Sequence, residues 1–182
     1  GPSGVGKSAL VRSFAERARH QFDALVLEGK CYERETVPYK AFDALVDALE
    51  QHLGGIHLDE LSTPLPPGVS EPARIFPVLR EVASLPTQDP RDHEGPDPQE
   101  LQSRAFRCLK LLLARLANDQ PLVLVIDDLQ WGDRDSGRLL GEILAPPDRP
   151  ALLLLCTYRS DGHGGGPLAG GQARRELFAD AH

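Results

Sequence analysis

The first eight residues constrain this chain more than any others. Gly1-Pro2-Ser3-Gly4-Val5-Gly6-Lys7-Ser8 fits the pattern G-x-x-x-x-G-K-[ST]. The spacing has a physical basis. Gly4 and Gly6 adopt backbone angles that other residues reach only at a cost, so the segment can curl tightly. Once curled, the N–H groups of residues 4 to 8 turn inward as a nest for an anion. A helix starting near Lys7 aims its positive N-terminal end at the same point. Lys7 is then placed to bring an ammonium to β- and γ-phosphates, and the Ser8 hydroxyl to serve Mg²⁺, a hard ion that takes oxygen ligands. Gly1, Pro2, Ser3, Gly4, Val5, Gly6, Lys7 and Ser8 are therefore the expected nucleotide-binding residues. The bland alternative is a glycine turn that happens to precede a helix, and two later segments argue against it.

A phosphate-binding loop of this kind follows a β-strand, yet nothing precedes Gly1, and the 182 residues contain no Met. The strand entering the loop is expected in an upstream segment, which makes this stretch a piece of a larger polypeptide. It is expected beside the strand at 151–156, in the centre of the sheet, so the isolated piece should lack a ladder of backbone hydrogen bonds and be unstable. The length suits one domain with a real core. A net charge of −7 argues against a broad nucleic-acid surface in this segment. Cys31, Cys108 and Cys156 are far apart and odd in number, with no C-x-x-C, so neither a disulfide framework nor a zinc site is expected. They read as two core thiols and one surface thiol in a reducing, cytoplasmic setting. The six histidines show no metal-binding spacing and read as solvated. No apolar run is long enough to span a membrane.

Along the chain, apolar strands alternate with helices, which implies a parallel α/β sheet. Residues 7 to 20 read as a helix with Leu10, Val11, Phe14, Ala15 and Ala18 inward. Ala24 to Leu27 reads as a buried strand ending at Glu28-Gly29, and Lys30 to Pro38 as a polar loop over the sheet. Phe42, Leu45, Val46, Leu49 and Leu53 form a helical core stripe that Gly54-Gly55 stops. Residues 56–98 read as an irregular insertion: a proline-rich connection, a short helix with Ile75, Phe76, Leu79 and Val82 on one face, and an acidic loop. Asp97-Pro98-Gln99-Glu100 predicts a helix start with Asp97 as N-cap and Glu100 as its reciprocal partner. Asp135 is expected to cap a further helix through Leu144. The last clear strand is 151–156. Residues 161–182 read as a glycine-rich loop and the start of another helix. The fold class expected is α/β, a three-layer P-loop nucleotide-binding core over residues 1–160, lacking its first, central strand and a C-terminal lid.

Two later segments complete the expected site. Leu122-Val123-Leu124-Val125-Ile126 runs into Asp127-Asp128, a buried strand delivering acid to its C-terminal edge, where open α/β sheets bind ligands. Asp127 is expected to hold Mg²⁺ through water opposite Ser8, and Asp128 to orient or deprotonate the attacking water. The next strand ends Cys156-Thr157-Tyr158-Arg159 at the same edge. Arg159 is suited to read the γ-phosphate, because a guanidinium offers planar bidentate bonds to phosphate. Trp131, the only tryptophan, reads as a packing anchor rather than a base-stacking platform.

Together, GPSGVGKS, VIDDLQWGD and LLLLCTYR resemble the STAND ATPases, within the AAA-related P-loop NTPases, and the group of origin-recognition-complex-like AAA ATPase domains. LEGKCYERETVPYKAFDAL is similar to the second-strand region of such domains in large bacterial regulators. The resemblance covers about residues 1 to 160. It implies an ATP-binding switch domain, with ATP and Mg²⁺ as cofactors. Gly4 to Ser8 would bind phosphates, Asp127 serve the metal, Asp128 activate water and Arg159 sense. Lys7, Asp128 and Arg159 form the implied catalytic set. The implied partners are a kinase, cyclase, LuxR-type or helical-repeat domain of the same polypeptide, with nucleotide-dependent self-association. Many relatives place Glu after the first acid; Asp128 is one methylene shorter, which implies slow hydrolysis. The winged-helix part that usually follows is missing, along with any lid residue from it. The alternatives are a non-hydrolysing nucleotide-binding scaffold, a replication-initiator-like ATPase acting on DNA, and a small-molecule kinase, for which no acceptor site is legible.

Overall fold

The computed structural model describes residues 1–33, 38–55, 71–76, 79 and 97–159. Three parallel strands, β1 (Leu25–Lys30), β2 (Leu122–Asp127) and β3 (Leu152–Cys156), form one sheet in the order β1-β2-β3. The register sets Lys30 beside Asp127 and Ile126 beside Cys156, so the three C-terminal ends lie level at one edge. Leu122 to Ile126 are all buried, as a strand covered on both faces must be.

Helix α1 (Lys7–Phe22) covers one face, where Ala15 and Ala18 meet Val26, Val123 and Val125. Helices α2 (Lys40–Gly54), α3 (Pro98–Asp119) and α4 (Arg134–Leu144) enclose the larger core on the other face, around Leu27, Leu124 and Ile126. The three-layer α/β reading therefore holds. The stripe Phe42, Leu45, Val46, Leu49 and Leu53 is buried throughout. The helical period keeps these residues on the side that packs against the sheet, and Gly55 closes the helix through its N–H to His52 O.

Several expectations are corrected. Leu10 and Phe14 are 73% and 39% exposed rather than inward. The helix seats on the sheet along Val11, Ala15 and Ala18, and positions 10 and 14 lie one residue, or about 100°, round the axis from that line. β1 does not stop at Glu28-Gly29 but continues to Lys30. Cys31, assigned to a solvated loop, is buried. The N-cap of α4 is Asp133, not Asp135: Asp133 has an extended backbone and its carboxylate accepts the Ser136 N–H. Asp97 caps α3 as expected, accepting from Gln99 N–H at 3.3 Å, but Glu100 pairs with Arg104 at 2.7 Å instead of reaching back. A 3-10 turn spans Glu71–Arg74, and Phe76 and Leu79 are buried against the core; the short helix expected on Ile75, Phe76, Leu79 and Val82 falls largely outside the described residues. His52 is partly buried beside the Gln120 amide, and burial holds its ring below the ordinary value. Val82, the acidic loop, most of the 56–98 insertion and the 161–182 segment lie outside the described residues.

Among the described residues, β3 pairs only with β2. Leu153 on it is 43% exposed. The Gly1 amine lies 3.5 Å from Tyr158 O, just past the end of β3.

Candidate nucleotide site

The phosphate loop is shaped as its glycines require. Gly4 and Gly6 have φ of 77° and 87°, left-handed values that a side chain disfavours. A Cβ built on either would meet nothing within 4 Å, so it is the backbone angle and not crowding that calls for glycine. Gly6 is the N-cap of α1, and its carbonyl accepts Leu10 N–H at 2.9 Å. The helix N-terminus therefore faces the loop, as anion binding needs. Lys7 folds back, its Nζ donating to Gly1 O at 2.9 Å and Pro2 O at 2.7 Å. Those carbonyls hold the ammonium over the loop.

Ser8 and Asp127 are 119 residues apart in sequence, yet Ser8 Oγ donates to Asp127 Oδ1 at 3.0 Å. α1 delivers the hydroxyl from one side and β2 the carboxylate from the other. A cleft of about 210 Å³ lies beside this contact, lined by Ser8, Arg12, Glu28, Lys30 and Asp127 among others. The donor set suits Mg²⁺, which binds through one or two protein oxygens and retains waters. No cluster of three or more His, Cys, Asp or Glu with metal-binding placement occurs among the described residues. Burial pushes the Cys31 and Cys156 thiols up to about 12, so neither offers a thiolate near neutral pH.

Asp128 sits in a left-handed backbone conformation, φ 56°. Its carboxylate lies 3.8 Å from the Arg159 Nε and 3.9 Å from the Lys30 Nζ, and accepts the Gln130 Nε2 at 2.9 Å. Asp127, Asp128, Lys7, Ser8 and Arg159 are thus brought to one edge of the sheet, as the sequence reading required. Three further residues were not singled out. Lys30 arrives there because β1 runs three residues past its apolar stretch, through Glu28 and Gly29. Thr157, 5% exposed, donates its hydroxyl to Asp127 Oδ1 and accepts Asp128 N–H at 3.0 Å. Its backbone bonds Ile126 O and Leu129 N–H. One threonine therefore ties down the whole turn carrying both acids. Gln130 is buried within the 3-10 turn Leu129–Trp131. A polar residue directly after the apolar strand Leu152–Cys156 was the only available hint for Thr157; nothing local pointed to Gln130. Trp131 packs against the main core, in keeping with an anchor.

Asp133 joins this turn to α2. Its carboxylate accepts Tyr39 N–H at 3.2 Å and Lys40 N–H at 3.1 Å as well as Ser136 N–H at 2.8 Å, while Ser136 Oγ accepts Ala41 N–H at 3.2 Å. The first N–H groups of α2 and α4 are thereby satisfied by one side chain and its neighbour. Burial alone would raise the Asp133 carboxyl, but the bonds from the Ser136 hydroxyl, Ser136 N–H and Tyr39 N–H outweigh it and hold it below the ordinary 3.8. A depressed carboxyl stabilises the fold fully above its unfolded value and loses that contribution as pH falls through its folded one. Asp133→Asn is therefore expected to cost about 2 kcal/mol at pH 7. The difference between variant and wild type should shrink once pH drops well below 3.8, read from urea midpoints at each pH.

A curled glycine loop at a helix N-terminus, facing an acid at the end of a buried parallel strand, defines a P-loop nucleotide-binding domain. The family described as AAA ATPase domain has a model that matches residues 1–155. The chain belongs to that family, which makes it a nucleotide-binding domain of the ATPase type. No curated protein and no solved structure is matched by the chain. Among the described residues, no helix is long and apolar enough to cross a membrane.

Proposed function

We propose that this chain is the Mg²⁺-dependent, slowly hydrolysing ATP switch domain of a larger cytoplasmic signal-transduction or transcription regulator of the STAND kind. The observation that carries the reading is the Ser8–Asp127 contact beside the curled glycine loop. The N–H groups of Gly4 to Ser8 cradle phosphates, with Gly1, Pro2 and Ser3 completing the loop. Lys7 exchanges its two loop carbonyls for β- and γ-oxygens. Ser8 and Asp127 would hold Mg²⁺, which would supply positive charge beside the phosphates. Asp128 orients and deprotonates the attacking water, and Arg159 contacts the γ-phosphate from the same edge.

Lys30, Gln130 and Arg159 surround Asp128. Two cations beside this carboxylate suit a domain whose acid responds to a γ-phosphate that competes for them, a switch rather than a rapid hydrolase. Bound ATP then supports a closed state that contacts other domains of the polypeptide or a second copy, and ADP releases it.

The same crowding of Asp128 is what a non-hydrolysing scaffold would show, so turnover decides between them. Asp128→Asn is expected to retain Mg²⁺-ATP binding and lose about a hundredfold in turnover, the scale of a general base. Equal, near-zero rates in both proteins would favour the scaffold. A DNA-loading role is disfavoured by the charge of −7, and strongly salt-dependent DNA binding would restore it.

A further inference from the structure

Gln130 is 2% exposed, and a buried primary amide is tolerated only where both of its ends are used. Both are. Nε2 donates to Asp128 Oδ1 at 2.9 Å, and Oε1 accepts the Arg159 N–H at 3.1 Å. The two partners fix the amide's orientation, because a carboxylate can only accept and a backbone N–H can only donate. One planar group thus spans the acid two residues before it and the backbone of an arginine 29 residues later. The Arg159 guanidinium stands 3.8 Å from the same carboxylate. A leucine would fill the volume without the cost of burying an amide, so packing alone does not account for a glutamine here.

We propose that Gln130 is a positioning residue that couples Arg159 to Asp128. When a γ-phosphate draws the Arg159 guanidinium, the Arg159 backbone N–H shifts against Gln130 Oε1 while Thr157 stays pinned, and the amide passes that shift to the Asp128 carboxylate. The carboxylate then turns from its cation partners toward the attacking water. This rests on the roles given above to Asp128 and Arg159. Trp131 is a built-in reporter: it is the only tryptophan, it follows Gln130 directly, and its N–H donates to Asp128 O at 3.0 Å.

The test compares wild type, Gln130→Leu, Gln130→Glu, Asp128→Asn and Arg159→Ala in the full natural chain. The probes are Mg²⁺-ATP, Mg²⁺-ADP and a non-hydrolysable ATP analogue. Gln130→Leu removes both bonds; Gln130→Glu keeps the acceptor for Arg159 N–H and removes the donor to Asp128. Both are expected to bind the analogue within about threefold of wild type and to lose about tenfold or more in kcat, the scale of a hydrogen bond to a charged group. Wild type should show different Trp131 emission with analogue and with ADP. That difference should vanish in Gln130→Leu and in Arg159→Ala. Wild-type kcat and emission in both Gln130 variants, with Asp128→Asn and Arg159→Ala impaired, would overturn the coupling and leave the site reading standing. Loss of analogue binding in step with turnover would assign Gln130 to packing and also overturn it. If Asp128→Asn and Arg159→Ala turn over like wild type, the site reading itself has failed, and the coupling with it. Should Gln130→Leu not fold, Gln130→Glu decides alone by the same readouts.

Discussion

Lys7→Ala is expected to weaken ATP binding by about a hundredfold or more, because two charge-assisted bonds to phosphate together are worth about 3 kcal/mol. The Lys7 Nζ is held by the carbonyls of Gly1 and Pro2 at 2.9 and 2.7 Å. Those bonds keep the ammonium above the loop, so little side-chain entropy remains to be lost on binding. They are also partly exposed, so their loss should hardly affect folding. Isothermal titration with Mg²⁺-ATP gives the affinity, and thermal unfolding gives the control. A variant that folds normally but binds ATP like wild type would remove the phosphate cradle from the account altogether.

Gly29→Ala should lower stability by about 3 kcal/mol, at the upper end of overpacking costs, which corresponds to a fall of roughly 10 °C in Tm for a chain this size. Gly29 lies within β1 and its N–H and C=O belong to a strand, so nothing about its backbone angles demands glycine. What demands it is α2. A Cβ at Gly29 would stand 2.4 Å from Ala41 O and 3.1 Å from the Leu45 side chain. A helix backbone cannot retreat from that contact without pulling Phe42, Leu45 and Leu49 out of the core they share with Leu27. Propensity alone predicts the opposite sign, since alanine is favoured over glycine inside a strand by about 0.5–1 kcal/mol. Gly141→Ala in α4 is the matched control. Nothing lies within 4 Å of its Cβ, so there the helix preference for alanine should prevail and stability should rise by about 1 kcal/mol. Both shifts can be read from thermal or urea melts. A Gly29→Ala variant as stable as the control would show that α2 does not press on β1.

The legible parts of this protein were those written in local pattern. The loop at Gly1 to Ser8, the acid pair after a run of five apolar residues, and the arginine after the last strand all fell at one sheet edge, because a parallel sheet places the C-terminal ends of its strands together. The stripe from Phe42 to Leu53 was legible for a similar reason: its period matches the helix it forms. Other features depended on distant neighbours. Leu10 and Phe14 fit a helical period as well as Val11 and Ala15 do, and periodicity cannot say which of two adjacent stripes will meet a sheet. Asp133 and Asp135 are equally good caps in sequence. Asp133 is the one used, and it is positioned to take two N–H groups of α2 as well.

By itself the sequence determined the chemistry available: a glycine loop for an anion, a lysine, a hydroxyl, two acids and an arginine, spaced so that alternating strands and helices bring them to one edge. Only the tertiary structure decided how these groups hold one another. Thr157 pins both acids, Gln130 links Asp128 to Arg159, and Lys30 joins them because β1 runs on past its apolar stretch. The physical reason is range. Backbone curl and helical period are set within a few residues, whereas a hydrogen bond between positions 29 or 119 residues apart exists only once the sheet has aligned the strands that carry them.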